Sequence, residues 1–180
     1  DISKADVLTI YLLPEVNLIV RPRILALKPG TRLVSHDYGF GEWPPDVEFT
    51  MDAPGKPVGR DQKSKVLYYV VPSQVAGKWV WKGPGGEFAL ELEQAFQKIT
   101  GTVTVGGKRA AIEKPQLTGY DISFEAVVGD GVRHQFSGRV YNNAIEGVYL
   151  SAGASHPWNA TRTELREARF HDLVPGITAR

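Results

Sequence analysis

The chain has 180 residues, 42% of them hydrophobic, with 21 basic and 20 acidic side chains, a formal charge of +1 and no cysteine. That length makes one domain or two small ones and buries about two-thirds of the unfolded chain's surface. The near-zero charge excludes a strongly electrostatic nucleic-acid binder, which needs a basic surplus to displace counterions from phosphates. The missing thiols exclude a disulfide scaffold, thiolate zinc, iron–sulfur ligation and thiol catalysis, and leave the redox compartment open.

Asp1 is not an initiator methionine and no basic-then-apolar leader precedes it, so the sequence reads as a processed chain or a piece of a longer one. No apolar run approaches the ~18 residues of a membrane span. Residues 7–13 (Val-Leu-Thr-Ile-Tyr-Leu-Leu) are nearly continuously apolar, the pattern of a strand covered on both faces, and Pro14 ends it. Leu18, Ile19, Ile24, Leu25 and Leu27 then form a helical stripe over 16–27, complicated by Pro22, and Lys28-Pro-Gly-Thr31 is a turn. Residues 32–36 and 65–71 read as strands on either side of a Pro/Gly-rich excursion over 39–62. Strand, crossover and strand predict a right-handed βαβ unit with a parallel pair.

From Gly77 onward the period changes. Short strands are predicted over 77–81, 87–96, 100–105, 121–128, 132–141, 144–150 and 158–162. Turn signals separate them at Gly83-Pro-Gly-Gly86, Gly106-Gly107, Gly129-Asp-Gly131 and Asn142-Asn143. Ile122, Phe124, Ala126 and Val128 alternate with Asp121, Ser123 and Glu125, so this is an antiparallel meander closing as a small barrel or sandwich. Trp79, Trp81 and Trp158 are expected in its core, and Gly119, Gly138 and Gly147 at points of curvature or close backbone approach. Residues 164–170 suggest a short helix broken by Pro175-Gly176, and the rest a frayed tail. The expected organisation is therefore α+β: a partial Rossmann-like α/β sheet over 1–72, a linker at 73–76, the β domain over 77–163, and a tail over 164–180.

Ser35-His36-Asp37 invites a triad, but consecutive strand residues point to opposite faces and cannot act together as nucleophile, base and orienter. At the carboxyl end of a parallel strand His36 and Asp37 are instead placed to line a pocket, with Trp43 as a wall or as core. Glu15 and Asn17 suit a pocket or a helix cap. His134, His156 and His171 lack metal-ligand spacing, Gly106-Gly-Lys-Arg109 is a hairpin and no phosphate loop, and Asn159-Ala-Thr161 matches a common glycosylation pattern.

Residues 5–17 (Ala-Asp-Val-Leu-Thr-Ile-Tyr-Leu-Leu-Pro-Glu-Val-Asn), then Arg21-Pro-Arg23, Leu27-Lys-Pro-Gly-Thr-Arg-Leu-Val-Ser-His-Asp37 and Trp43-Pro-Pro-Asp46, resemble class I S-adenosylmethionine (SAM)-dependent methyltransferases, in the branch related to small protein-lysine methyltransferases. The meander resembles a β-rich extension of some bacterial members, through Gly138-Arg-Val140, Glu146-Gly147 and Trp158-Asn-Ala-Thr-Arg162. The resemblance implies that residues 7–13 are the fourth strand of the sheet, 33–35 the fifth, and 66–71 part of the closing hairpin. It places Tyr11, Leu12, Leu13 and Pro14 beside the methyl donor and acceptor, His36 nearby, and Glu15, Asn17, Asp37 and Trp43 around the substrate.

The same resemblance implies SAM as cofactor and a protein lysine or other amine as acceptor; the near-zero charge leads to the expectation of no nucleic-acid partner. Availability of SAM favours the cytoplasm, and an exported precursor stays open. The glycine-rich turn and acidic residue that hold the cofactor are missing, so the chain reads as the back half of the enzyme, needing upstream residues to bind SAM. An open sheet edge along 7–13 is expected to pair with a second copy or with a missing N-terminal segment. The rival reading makes the β domain a binding module for a small apolar ligand or partner protein on an inactive scaffold.

Overall fold

A computed structural model describes residues 1–57, 62–128 and 131–170. His171 and the part of the expected tail after residue 170 lie outside the described residues. Two compact units emerge, the first built mainly from Asp1–Val71 and the second from Pro72–Arg169.

The first unit holds β1 (Val7–Ile10), α1 (Pro14–Leu25), β2 (Arg32–His36), β3 (Val47–Asp52) and β4 (Lys63–Val70) in a sheet of order β1-β2-β4-β3. β1 and β2 are parallel, with α1 as their crossover, and β4 is antiparallel to both β2 and β3. The βαβ reading thus describes the chain path, but the sheet is mixed and has one helix among the described residues; it is not doubly wound. The excursion over 39–62 contains β3, which pairs with β4 from Val47↔Tyr68 to Asp52↔Lys63.

Alternation sorts the sheet's faces. Leu33, Ser35, Leu67 and Tyr69 are buried with Ile24 and Leu25 of α1, whereas Val7, Val47, Phe49 and Met51 are exposed. β1 is an edge strand of four residues, exposed or half-buried along its length, and so the expectation of a long strand covered on both faces is corrected. Pro14 shortens it: the ring presets φ for the first helical turn, and the chain turns at Tyr11–Leu13 to enter α1.

The second unit contains β5 (Gly77–Gly83), β6 (Gly86–Ala95), β7 (Lys98–Val105), β8 (Lys108–Ala111), β9 (Glu113–Thr118), β10 (Asp121–Val128), β11 (Val132–Tyr141), β12 (Ala144–Ser151) and β13 (Ala154–Leu165). They form one antiparallel sheet of order β8-β7-β6-β5-β13-β12-β11-β10-β9. Its end strands are consecutive in sequence, separated by Ile112, whose N–H donates to Gly101 O at 3.0 Å. The sheet therefore curls until β7 and β8 stand against β9 and β10, a nearly closed barrel and not a sandwich.

Trp79, Trp158, Leu90, Leu92, Phe124 and Phe136 fill the barrel, each at most 2% exposed. Phe136 stacks on Phe124 at 4.7 Å and on Tyr149 at 5.1 Å, and meets the Trp158 ring edge-on at 5.3 Å. An interior packed in this way gives no support to the rival reading of a ligand-binding barrel. Gly138 and Gly147 oppose each other, and a Cβ on Gly147 would sit 2.2 Å from Ser137 O and 2.5 Å from Gly138 Cα. Only glycine admits that approach.

The helix expected over 164–170 is not formed. Glu164 and Leu165 end β13 opposite Lys78 and Gly77, and Arg169 bridges to Ala95. Gln94 fastens the segment after Pro72: its carbonyl accepts from Val75 N at 2.7 Å and its amide donates to Ser73 O and Phe96 O, each at 2.8 Å. No helix among the described residues is long and apolar enough to cross a membrane.

Candidate functional site

Within the first unit a cavity of about 470 Å³ opens at the carboxyl ends of the parallel strands β1 and β2. Tyr11, Leu12 and Leu13 line it from the β1–α1 turn, and His36, Asp37 and Tyr38 from the end of β2. Lys56 and Pro57, with Lys63 and Lys65 of β4, complete it. Tyr11 is 79% exposed, yet its ring lies over His36 with centroids 4.7 Å apart and planes 24° from parallel. A phenol held on an imidazole in this way gives the mouth a flat aromatic wall.

Asp37 is the anchor of the polar side. Its N–H donates to Lys65 O at 2.8 Å and its carboxylate accepts from Lys65 N at 2.9 Å, which fixes it in a left-handed conformation with φ of 61°. Lys56 Nζ lies 2.5 Å from the other carboxylate oxygen, and His36 Nδ1 lies 3.5 Å from it. Burial alone would raise the carboxyl's pKa, but the Lys56 ammonium, the Lys65 N–H and His36 together hold it below its ordinary value. Lys56 also donates to Lys63 O at 2.6 Å, which ties the chain before β4 to the floor of the cavity.

Behind the lining, α1 fixes the loop after β2. Asn17 is fully buried, and its amide donates to Tyr38 O at 3.1 Å and Gly39 O at 3.2 Å. Arg21 donates to Phe40 O at 3.0 Å, and Ser35 Oγ to Tyr38 O at 2.6 Å. Three consecutive loop carbonyls are thus held by three buried side chains. Gly39 lets the loop lie close, since a Cβ there would come 2.8 Å from the Tyr69 hydroxyl. Burial pushes that phenol's pKa up to about 12, so Tyr69 stays un-ionised beneath the loop.

The structure therefore brings Tyr11, Leu12, Leu13, His36 and Asp37 together, with Pro14 half-buried at the first position of α1. It does not bring Glu15, Asn17 or Trp43 to the cavity lining. Glu15 is exposed on the first helical turn, and among the described residues no side chain caps α1, so neither Glu15 nor Asn17 serves as its cap. Trp43 packs against Phe40 at 5.6 Å and Tyr69 at 4.9 Å and is 1% exposed: it is core. Lys56, Lys63 and Lys65 were not expected here; the alternation of Lys63 and Lys65 around buried Ser64 is the one signal that points them to a common face.

In comparisons with known proteins, no family model matches this chain. A protein-lysine N-methyltransferase of Saccharolobus islandicus (strain REY15A) is 48% identical over 46 residues, 25% of this chain. The chain spans 29% of that relative's length. Among solved structures, an RNA methyltransferase from Salinibacter ruber in complex with S-adenosyl-L-homocysteine matches 42% of this chain and 43% of its own, with 41% identity and a TM-score of 0.33. Over part of its length the chain is related to methyltransferases.

Proposed function

We propose that residues 1–71 carry the acceptor side of a methyl-transfer site in a SAM-dependent methyltransferase, and that the acceptor is the amine of a protein lysine. The observation that carries the reading is the cavity at the carboxyl ends of β1 and β2, walled by the Tyr11–His36 stack and the Leu12–Leu13 turn. The partial identity to a protein-lysine N-methyltransferase supports the class of reaction and the choice of amine.

The residues do not fit the donor itself. In a sheet of this kind the donor rests against a glycine-rich turn that opens a helix. The loop over 38–41, with Gly39-Phe-Gly41, is clamped by Asn17, Arg21 and Ser35 and opens no helix, so it offers the donor no such turn. The residues present can hold the acceptor. Tyr11, Leu12, Leu13 and Pro57 offer an apolar channel for a four-carbon stem, and methyl transfer asks mainly for alignment and exclusion of water. The exposed edge of β1 and the exposed Val7, Val47, Phe49 and Met51 suit a sheet that pairs and packs further, with a second copy or another segment.

The test is methylation of lysine peptides by the protein at its full natural length, with Tyr11→Ala beside it. Loss of the ring is expected to lower kcat/KM by about tenfold to a hundredfold through misalignment. Equal rates in both proteins would overturn the assignment of this wall.

A further inference from the structure

We infer that His36 accepts the proton of the incoming lysine, so that the cavity turns an ammonium into the neutral amine that a methyl group can join. The inference rests on the methyl-transfer reading and adds the destination of the proton to it.

An acceptor lysine arrives protonated: at pH 7 about one free lysine side chain in 2,500 is neutral. The ammonium has no lone pair. One N–H bond must therefore break, with its electron pair staying on nitrogen and its proton going to a base within hydrogen-bond reach. The titratable groups that share the cavity are Tyr11 from the β1–α1 turn, His36, Asp37 and Tyr38 from the end of β2, Lys56 ahead of β4, and Lys63 and Lys65 within it. Lysine and tyrosine side chains ordinarily keep their own protons at neutral pH. Burial alone would raise the Asp37 carboxyl, but the Lys56 ammonium at 2.5 Å, the Lys65 N–H at 2.9 Å and His36 hold it below its ordinary value, which makes it a weak base. Histidine is the side chain whose ordinary pKa lies closest to neutrality.

The surroundings of His36 equip it for that task. Its Nδ1 lies 3.5 Å from the Asp37 carboxylate, so the two form an ion pair once the ring is protonated. The Tyr11 ring covers one face of the imidazole at 4.7 Å, a contact that fixes the plane of the ring and strengthens when the ring becomes cationic. With Nδ1 turned toward a carboxylate, the neutral ring keeps its proton there and presents the lone pair of Nε2. Among the described residues no protein group engages Nε2, and the side chain is 32% exposed, so the edge of the ring is open to a ligand. The acceptor stem runs along Leu12 and Leu13, and the proton passes from the exposed imidazole to water after each turnover.

The test has two arms. Nitrogen-resolved magnetic resonance spectra of the 180-residue chain, with His36→Gln to assign the signal, follow the titration of His36. A lysine peptide is expected to lower the His36 midpoint by about one pH unit, because its ammonium needs the Nε2 lone pair and a protonated ring would face it as like charge. The same peptide with norleucine in place of lysine is expected to leave the midpoint unmoved. In the protein at full natural length, His36→Gln is expected to lower kcat/KM for lysine peptides about a hundredfold or more at pH 7, a gap that closes toward about pH 10 as the amine loses its proton unaided. A deficit of equal size at every pH would make His36 a part of the wall alone and overturn the inference. So would a midpoint that both peptides move alike, or that neither moves. A midpoint lowered by the lysine peptide, with no methyl transfer by the full-length parent at any pH, overturns the methyl-transfer reading instead and leaves the lysine contact in place.

Discussion

Asn17 offers the most direct test of how the site is held. Its amide nitrogen faces two acceptors, Tyr38 O at 3.1 Å and Gly39 O at 3.2 Å, so the amide orientation follows from the chemistry of its partners. In Asn17→Ala, Tyr38 O keeps the Ser35 hydroxyl at 2.6 Å, but Gly39 O loses its side-chain donor in a half-buried place. One net hydrogen bond lost at Tyr38 and one half-buried carbonyl left to water at Gly39 together cost about 1–3 kcal/mol. Asn17→Asp keeps the shape but turns a carboxylate oxygen toward two carbonyls, and is expected to cost more than the alanine change. Urea unfolding of the three proteins measures the difference, and amide exchange at Tyr38 and Gly39 reports whether the loop has loosened. A loss below about 0.5 kcal/mol, the range of an ordinary surface change, would refute the clamp.

Further outcomes follow from other parts of the molecule. Gly147→Ala forces a Cβ to 2.2 Å from Ser137 O, and because the neighbours are backbone atoms the barrel is expected to lose about 3 kcal/mol or more by thermal unfolding. The pKa of Asp37 is depressed in the folded protein, so its contribution is complete above the ordinary carboxylate value near ~4 and is lost as pH falls through the lower folded value. Asp37→Asn should accordingly show a shallower acid limb than the parent in denaturant titrations at falling pH; superimposable limbs would contradict the ion pair with Lys56. SAM titrated calorimetrically into the 180-residue chain is expected to give no saturable heat, since the loop after β2 is clamped and opens no helix. Light scattering is expected to show association, driven by the open edge of β1, that weakens when Val7 is changed to Lys.

Much of the fold was legible where side-chain period and burial agree. Leu33 and Ser35 alternate with half-buried Val34 and His36 in β2, and Ile122, Phe124, Ala126 and Val128 face the barrel core from β10. β3 was hidden because it lies between Pro44-Pro45 and Pro54-Gly55 and is exposed at every position, so no buried stripe marks it. β8 and β9, rich in Lys, Ala and Glu and interrupted by Pro115, owe their extended form to ladder partners. Residues 164–170 have helical propensity, but pairing of Glu164 and Leu165 with β5 outweighs it.

The site divides in the same way. His36, Asp37 and the turn from Tyr11 were readable because a parallel strand's carboxyl end is a fixed address. Asn17 was read as a pocket residue or a cap and is neither, because its partners lie 21 and 22 residues away. The lysines were missed because Lys56 arrives from a Pro/Gly-rich loop and Lys63 and Lys65 through the register of β4, which no local pattern specifies.

The central claim is that the wall made by Tyr11, Leu12 and Leu13 aligns an amine for methyl transfer. Its most direct test is mass spectrometry of lysine peptides after incubation with SAM and the protein at full natural length, alongside Tyr11→Ala and Leu13→Ala. The account predicts a methyl group on the lysine with the parent protein and a rate reduced by about tenfold or more in each variant. No methylated lysine with the parent, or equal rates with all three, would contradict it.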